Sequence, residues 1–261
     1  MLLPNWIKKN LIYSSAFILI YFAVRPAEAL TINANEAFNR ANLACEAGEY
    51  GRAISEYEKI LNGGLKSPEL YYNMGNCYLN SGAVGKAILN YKRAMRFSPR
   101  DSALLINYRY ALSQMKQRDA VSKEPYFIKI VKDAFSFFTL KETLLIFIIL
   151  YYLTAAVMIT RKFVKKRRII LSLAEIILVL TVIIVAMPLS SKIRDSEKEA
   201  IAISKTTDAR LEPMNEASSI FPIYEGMKVY ILKSKKDWCK VKRPDGKIGW
   251  VAAKDLENVT I

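Results

Sequence analysis

The chain has 261 residues, 52% of them hydrophobic, and a formal net charge of +15. This apolar content is too high for a disordered protein, and the length suits one or two folded domains. Histidine is absent from the sequence, which excludes Ser-His-Asp and Cys-His catalysis and histidine metal sites.

The positive charge is densest in "RKFVKKRR" (161–168), which holds six cations. A nucleic-acid-binding protein concentrates its basic residues on a folded face. Here the basic cluster lies between two apolar runs of membrane length. We therefore predict no nucleic-acid partner.

Residues 1–29 have the pattern of a secretory signal peptide. Lys8 and Lys9 precede an apolar core over 11–24, and "AEA" (27–29) fits a small-x-small cleavage site. Arg25, a charge just past the core, leaves open the alternative that the segment stays as an uncleaved anchor. With either outcome, the chain from residue 30 onward is predicted to be exported.

An internal repeat occupies 34–118, within a predicted domain over 30–122. "GEYGRAISEYEKIL" (48–61) aligns with "GAVGKAILNYKRAM" (82–95). Small residues at Gly75, Ala87 and Ala94 are expected to let two helices approach, and a further helix over 101–115 to cover the open end of the stack. The pattern resembles a tetratricopeptide repeat array, whose unit is about 34 residues long.

That resemblance implies that the first helix of each unit lines a concave, partner-binding face. The candidate partner-binding residues there are Asn42, Tyr72, Asn73, Asn76 and Asn107. Asparagines on such a face can bind an extended peptide backbone; the alternative is an ordinary solvated helix face. The positions that hold basic residues in carboxylate-gripping relatives are Phe38, Ala103 and Asn107, so no carboxylate grip is expected.

An amphipathic helix is predicted over 123–140, opened by Pro125. One face collects six apolar residues: Phe127, Ile130, Val131, Ala134, Phe135 and Phe138. The pattern suits a helix lying in a membrane interface. Packing against the repeats explains it equally well.

Two membrane-length apolar segments, Thr143–Thr160 and Ile169–Ser190, form a predicted hairpin over 141–191. The positive-inside rule assigns the basic link 161–168 to the cytoplasm, so both outer flanks face the exported side. Glu175 lies inside the second span. We expect it to reach the interface or to pair with a cation such as Arg168, since a second intramembrane acid or base for a proton relay is missing.

After a charged linker over 192–199, residues 200–261 read as a small all-β domain. Strands are predicted at 228–232, 238–242 and 248–252, with a hairpin turn at "PDG" (244–246). The segment 226–256 resembles the bacterial SH3 barrel, with Trp238 and "GWV" (249–251) as its recognisable core. In "TDARLEP" (207–213), Leu211 and Glu212 replace the small residues of that family's turn. The groove candidates are Arg210, Tyr224, Trp238 and Trp250, and Trp250 is also expected in the barrel core.

The three cysteines, Cys45, Cys77 and Cys239, form no CxxC pair. Small buried apolar residues are the favoured interpretation. The alternative is a Cys45–Cys77 disulfide, which an export compartment permits.

The fold class is thus a multidomain membrane protein with an all-α tetratricopeptide repeat solenoid, a two-helix transmembrane hairpin and a small all-β SH3-like barrel. This order of domains resembles the BatE-like members of the Bat aerotolerance group of bacterial membrane proteins. The resemblance implies an inner-membrane scaffold, with both modules on the periplasmic side, that binds Bat-type partners carrying von Willebrand A domains and contributes to envelope integrity or oxygen tolerance.

No enzymatic activity, cofactor or metal is expected, since no hydrolase domain remains once the repeats and spans are assigned. The alternative function is a peptidoglycan-binding protein, or an accessory of a cell-wall enzyme, that acts through the SH3-like domain.

Overall fold

The computed structural model describes residues 34–116, 126–164 and 168–260. The predicted signal peptide (1–29) and residues 165–167 of the basic link lie outside these ranges. The chain divides into two units, Met1–Lys66 and Ser67–Ile261.

The first unit contains helix α1 (34–46) and helix α2 (Tyr50–Asn62). The two helices are joined at Gly48, whose φ of 79° is a left-handed conformation that glycine adopts without steric cost. Their shared core is built from small residues around one large ring: Ala37, Ala41, Ala44, Ala53, Tyr57 and Ile60.

The second unit begins with helices α3 (Pro68–Asn80), α4 (Val84–Phe97) and α5 (Ser102–Ser113). Ser67 caps α3 by accepting a hydrogen bond from the Leu70 backbone N–H, and Asp101 caps α5 in the same way through Leu104. Gly82 turns the chain between α3 and α4 with a φ of 79°, at the position that corresponds to Gly48 in the preceding repeat.

Helices α3 and α4 pack closely because small residues face large ones. A Cβ atom on Gly75 would lie 2.7 Å from the ring of Tyr91, and Ala87 and Ala94 are fully buried. The predicted role of Gly75, Ala87 and Ala94 in helix approach is confirmed. The helices recur at the predicted repeat spacing. Between residues 34 and 113 the regular secondary structure is all helical, with short turns between the helices.

Helix α6 (Tyr126–Ser136) falls within the predicted amphipathic segment and packs on helix α8, burying Val131. Helix α7 (Leu140–Phe163) starts in a capping box between Thr139 and Glu142. Helix α8 (Arg168–Lys198) is longer than predicted. The segment 192–198, predicted as a linker, is helical, and strand β1 begins at the next residue.

Helices α7 and α8 pack against each other as a hairpin, and both are long and apolar enough to cross a membrane: Leu140–Phe163 and Ile169–Ser190. Most of their large apolar side chains are exposed, Ile169 and Tyr152 among them. A helix in a soluble core would bury such side chains, so this exposure is compatible with a membrane hairpin.

The C-terminal part is one antiparallel seven-stranded sheet in the order β3-β2-β6-β5-β4-β1-β7. The strands are β1 (Glu199–Ala202), β2 (Thr206–Arg210), β3 (Ser219–Tyr224), β4 (Lys228–Lys235), β5 (Trp238–Lys242), β6 (Ile248–Ala252) and β7 (Leu256–Asn258), with a 3-10 turn (Ala253–Asp255) before β7. The predicted strands 238–242 and 248–252 are confirmed, and the predicted 228–232 continues to Lys235.

One face of the sheet carries the hydrophobic core of this C-terminal part, for which we keep the predicted name, the barrel. The fully buried members of this core include Ile223, Val229, Val241 and Val251. Trp250 is only partly buried and lies on the opposite face of β6 from Val251. The prediction of Trp250 as a core residue is therefore wrong, because successive residues of a strand point to opposite faces and Gly249 and Val251 take the inner positions.

Candidate binding surfaces

A hydrogen-bond network connects the polar residues predicted on the repeat face. The Tyr91 hydroxyl donates to Asn76 Oδ1 at 2.7 Å. The Asn107 amide donates to the same Asn76 oxygen at 3.0 Å and to the Tyr72 hydroxyl at 2.9 Å. The structure thus brings Tyr72, Asn76 and Asn107 together on α3 and α5.

The same bond occurs in the first unit, where the Tyr57 hydroxyl donates to Asn42 Oδ1 at 2.6 Å. Asn42 and Tyr57 each precede their counterparts Asn76 and Tyr91 by one full repeat. The asparagine therefore holds the second helix of its pair in place. Asn42, Asn76 and Asn107 thus bind neighbouring side chains of the helices, and Asn73 is partly buried on α3. Their role in partner binding stays a prediction.

Two exposed residues of the α5 surface were not predicted from the sequence. The side chains of Ile106 and Tyr110 are 62% and 56% exposed. They occupy the positions of Tyr72 and Asn76 in the next repeat, so the repeat spacing was a signal that could have identified them. An exposed aliphatic and aromatic pair beside a polar network is typical of a protein-binding surface.

A mostly buried ion pair connects the helices of the second unit to the barrel. Lys92 Nζ on α4 donates to the Glu199 carboxylate on β1 at 2.5 Å. Burial alone would lower the pKa of Lys92, but the Glu199 carboxylate outweighs it and raises the pKa above its ordinary value. Burial alone would raise the pKa of Glu199, but the Lys92 ammonium outweighs it and holds the pKa below its ordinary value.

Further contacts extend this junction. Arg93 pairs with Glu257 at 3.0 Å and donates to the Asn258 carbonyl at 2.7 Å. Helix α4 has no side-chain cap of its own from Ala83. Instead the Glu225 carboxylate, from the β3–β4 turn of the barrel, accepts a hydrogen bond from the Gly85 backbone N–H at 2.8 Å.

Two glycines permit this close approach. A Cβ atom on Gly85 would lie 2.5 Å from the Ala202 carbonyl oxygen, and one on Gly226 would lie 2.7 Å from the Ile88 side chain. Helices α3–α5 and the barrel therefore form one packed body, which we call the helix–barrel platform.

A cleft of about 150 Å³ opens beside the junction, and it is lined by Gly82, Val84, Gln114, Met115, Lys116, Lys205, Tyr224 and Glu225. Tyr224, one of the four predicted groove residues, faces this cleft and also packs against the barrel core. The other three lie elsewhere.

Arg210, Trp238 and Trp250 share the outer face of the sheet. Arg210 is opposite Trp250 in the register of β2 and β6. Its guanidinium donates to the carbonyls of Asn215 and Ala217 at 2.6 and 2.7 Å, so it braces the β2–β3 loop. Lys240 Nζ lies over the Trp250 ring, 6.0 Å from its centroid.

In the helical hairpin, Glu175 on α8 forms an ion pair with Arg161 on α7 at 2.7 Å. The sequence predicted that Glu175 reaches Arg168 or the interface; in the structure its ion-pair partner is Arg161. The bridge joins the two helices near the basic link.

The prediction that the cysteines are small buried residues is confirmed for two of the three. Cys77 and Cys239 are buried thiols, whereas Cys45 is a half-buried thiol. Within the described ranges, no group of three acidic or cysteine side chains is placed to hold a metal ion. The absence of enzymatic activity stays a prediction.

Comparison with known proteins supports the C-terminal assignment. The family model of the bacterial SH3 domain matches residues 205–257. No curated protein matches the chain. The match covers strands β2 to β6 and ends within β7, and β1 lies before it.

Proposed function

We propose that this protein is a membrane-anchored scaffold that binds protein partners on the exported side of a bacterial membrane. The helices of its N-terminal part act as tetratricopeptide repeats, and the barrel is a second binding module. The recurrence of the Asn42–Tyr57 hydrogen bond as Asn76–Tyr91, one repeat later, supports the repeat assignment. So does the recurrence of the left-handed turns at Gly48 and Gly82.

The observation that carries the proposal is the helix–barrel platform. The Lys92–Glu199 pair and the Glu225 cap on α4 join two modules that are separated in sequence by the apolar hairpin. A scaffold has to hold its binding surfaces at a fixed spacing, because fixed geometry removes part of the entropy cost of binding a partner at two places.

The position of the platform on the hairpin supports a one-sided arrangement. Arg100, in the α4–α5 turn, donates to the Phe137 carbonyl and pairs with Glu142 at the start of α7, each at 2.9 Å. The barrel follows directly from the end of α8. Both attachments lie at the end of the hairpin opposite the basic link. With the link in the cytoplasm, the platform is periplasmic, on the outer face of the inner membrane.

The proposed partners are Bat-type membrane proteins with von Willebrand A domains, and the proposed process is envelope integrity or oxygen tolerance. This assignment rests on the order of the modules along the chain. It is tested by crosslinking in intact cells, purification of the protein from detergent-solubilised membranes, and identification of what is attached. Recovery of such membrane proteins supports the proposal, and recovery of no membrane protein contradicts it.

The side of the membrane has its own test. A reporter active only in the cytoplasm, fused after Ile261, should be silent, and one active only in the exported compartment should be active. The opposite result would remove the periplasmic assignment. Disturbed insertion after reversal of all six cations of the basic link to acids would tie the orientation to that link; the six are Arg161, Lys162, Lys165, Lys166, Arg167 and Arg168.

Peptidoglycan binding is the second candidate, favoured by the bacterial SH3 family match over residues 205–257. Sedimentation with purified peptidoglycan sacculi separates the two. Sedimentation that is lost on removal of the barrel, together with the absence of any membrane partner, would favour the wall-binding function over the scaffold.

A further inference from the structure

The outer face of the barrel sheet carries an ordered array of lysines. On β5, Lys240 and Lys242 point to this face, and Lys233 and Lys235 on β4 lie beside them. Lys233 is directly opposite Lys240, and Lys240 is directly opposite Trp250 on β6. We call this surface the lysine face.

The lysine face is exposed and uncompensated within the part of the chain that the structure describes. Lys233, Lys235 and Lys242 are exposed, and Lys240 is half-buried. Among the described ion pairs none involves these four lysines, whereas the nearby Arg243 is neutralised by Asp245 at 2.6 Å. Like charges that lie close together repel one another. Neutralisation of these lysines by a ligand therefore contributes favourably to the free energy of binding.

Two exposed or half-exposed apolar groups border the charges. Trp238 is opposite Lys235 in the register, and Ile248 is opposite Lys242. Ile248 is 44% exposed. A surface that mixes cations with aromatic and aliphatic groups offers both charge neutralisation and burial of apolar area to a binding chain.

The spacing of the lysines favours an extended polypeptide. Residues two apart on a strand are separated by about 6.8 Å, since the rise is about 3.4 Å per residue. This is the spacing of Lys240 and Lys242, and of Lys233 and Lys235. An extended peptide with an acidic residue at every second position presents carboxylates at the same interval, so it can match two lysines along each strand.

The Trp250 ring argues against a sugar in the same place. Carbohydrate stacking needs an open aromatic face, and a sugar on this face of the ring would have to displace the Lys240 ammonium, which lies 6.0 Å from the ring centroid. The contact is a cation–π interaction that places a charge in the middle of the lysine face. A positive charge at this position favours an anionic ligand over a neutral one.

We propose that the lysine face binds an acidic, extended segment of a partner protein. The inference rests on the proposed function in one respect, since it takes the barrel to meet its ligand as a protein-binding module. It adds the chemistry of that ligand: carboxylates at alternate positions over the lysines of β4 and β5, and apolar side chains at the two ends of the acidic stretch, next to Trp238 and Ile248.

The test uses the full-length protein in detergent and a fluorescently labelled short peptide with glutamate at every second position. A matched peptide with glutamine in place of glutamate is the control. We expect the glutamate peptide to bind more tightly and to lose affinity as salt rises. The double variant Lys233→Gln with Lys240→Gln should weaken binding of the glutamate peptide by about tenfold. This factor corresponds to the combined free energy of two exposed ion pairs.

Lys254→Gln, an exposed lysine in the 3-10 turn outside the face, should leave binding unchanged. Equal binding of the two peptides, or no effect of the double lysine variant, would overturn the inference. A third outcome would also overturn the inference: the glutamate peptide does not bind, and the double lysine variant instead reduces sedimentation with peptidoglycan sacculi or anionic lipid vesicles.

The two proposals fail separately. Loss of selectivity for the glutamate peptide overturns the lysine face as a site for acidic segments and leaves membrane crosslinking of partners intact. Failure to recover any membrane protein by crosslinking overturns the scaffold, whatever the peptide does in detergent.

Discussion

Lys92 and Glu199 form a mostly buried ion pair although they lie 107 positions apart in the chain. Their side chains are 20% and 15% exposed. Since α4 contributes the lysine and β1 the carboxylate, this pair joins the helical module to the first strand of the barrel.

Glu199→Gln should strongly destabilise the contact between α4 and β1 that holds the helix–barrel platform together. Removal of one partner leaves the other charge buried without compensation, at a cost of about 3–5 kcal/mol. Hydrogen exchange of β1 and α4 in the full-length protein measures the free energy of opening. Arg52→Ala, which breaks the exposed pair Arg52–Glu49, is the control and should cost about 1 kcal/mol or less. Equal effects of the two changes would contradict the role of the buried pair.

The same pair predicts a pH dependence of the platform. The folded pKa of Glu199 is below its ordinary value of 4.5, so its contribution is full above that value and is lost as the pH falls through the folded pKa. The folded pKa of Lys92 is raised above 10.5, so its contribution is full below that value and is lost only at more alkaline pH. Between these limits the junction should be stable.

Opening of the junction between the barrel and the helices can be followed by limited proteolysis at a series of acidic pH values. Cleavage that depends on this opening should appear only when the pH falls below 4.5, the ordinary pKa of the Glu199 carboxyl. In Glu199→Gln the acid-dependent step attributed to this residue should be missing. A step of the same size in both proteins would assign the acid sensitivity to another group.

Gly85→Ala should open the junction even though alanine favours a helix. The new Cβ would lie 2.5 Å from the Ala202 carbonyl oxygen, and neither backbone can move without loss of packing. We expect a cost of about 1–3 kcal/mol, measured by hydrogen exchange of α4 and β1.

Gly51 is the matched control, because it is the second residue of α2, as Gly85 is of α4, and precedes Gly85 by one repeat. A Cβ atom added to Gly51 would have no neighbour within 4 Å. Gly51→Ala should be neutral or stabilising by up to about 1 kcal/mol. Destabilisation by Gly51→Ala to the same degree would show that the helix position, and not the barrel contact, requires glycine.

Asn76→Ala should weaken the packing of the second helix pair. Its side-chain oxygen accepts hydrogen bonds from Tyr91 and Asn107, and an unsatisfied buried donor costs about 1–3 kcal/mol. Thermal loss of helicity in the full-length protein should occur at a lower temperature. Asn80→Ala, at an exposed position of α3, should have little effect. Similar melting of both variants would contradict the network.

Local patterns predicted much of this fold, because their signals lie in neighbouring residues. Strands β5 and β6 follow from alternation and from the "PDG" turn, and the approach of α3 to α4 follows from Gly75 facing Tyr91. The helical state of 192–198 was missed because its charged composition is shared by linkers and exposed helices.

The site residues were predicted less well, for a physical reason. Asparagine on a helix face can bind a partner or a neighbouring tyrosine, and the choice for Asn76 depends on Tyr91 of the next helix. The Lys92–Glu199 pair could not be predicted from the sequence, because the whole apolar hairpin lies between the two residues and no local pattern relates them. The lysine face needed the strand register, which places Lys233 beside Lys240.

The most direct test of the scaffold is site-specific photocrosslinking in native membranes from two positions on the platform. A photoreactive residue replaces Tyr110 on α5 in one protein and Lys254 on the barrel in the other; both positions are exposed. The proposal predicts that the Tyr110 position captures a membrane protein, and that capture decreases when Glu199→Gln opens the platform. Capture of no protein from Tyr110, with only wall fragments recovered from Lys254, would contradict the scaffold.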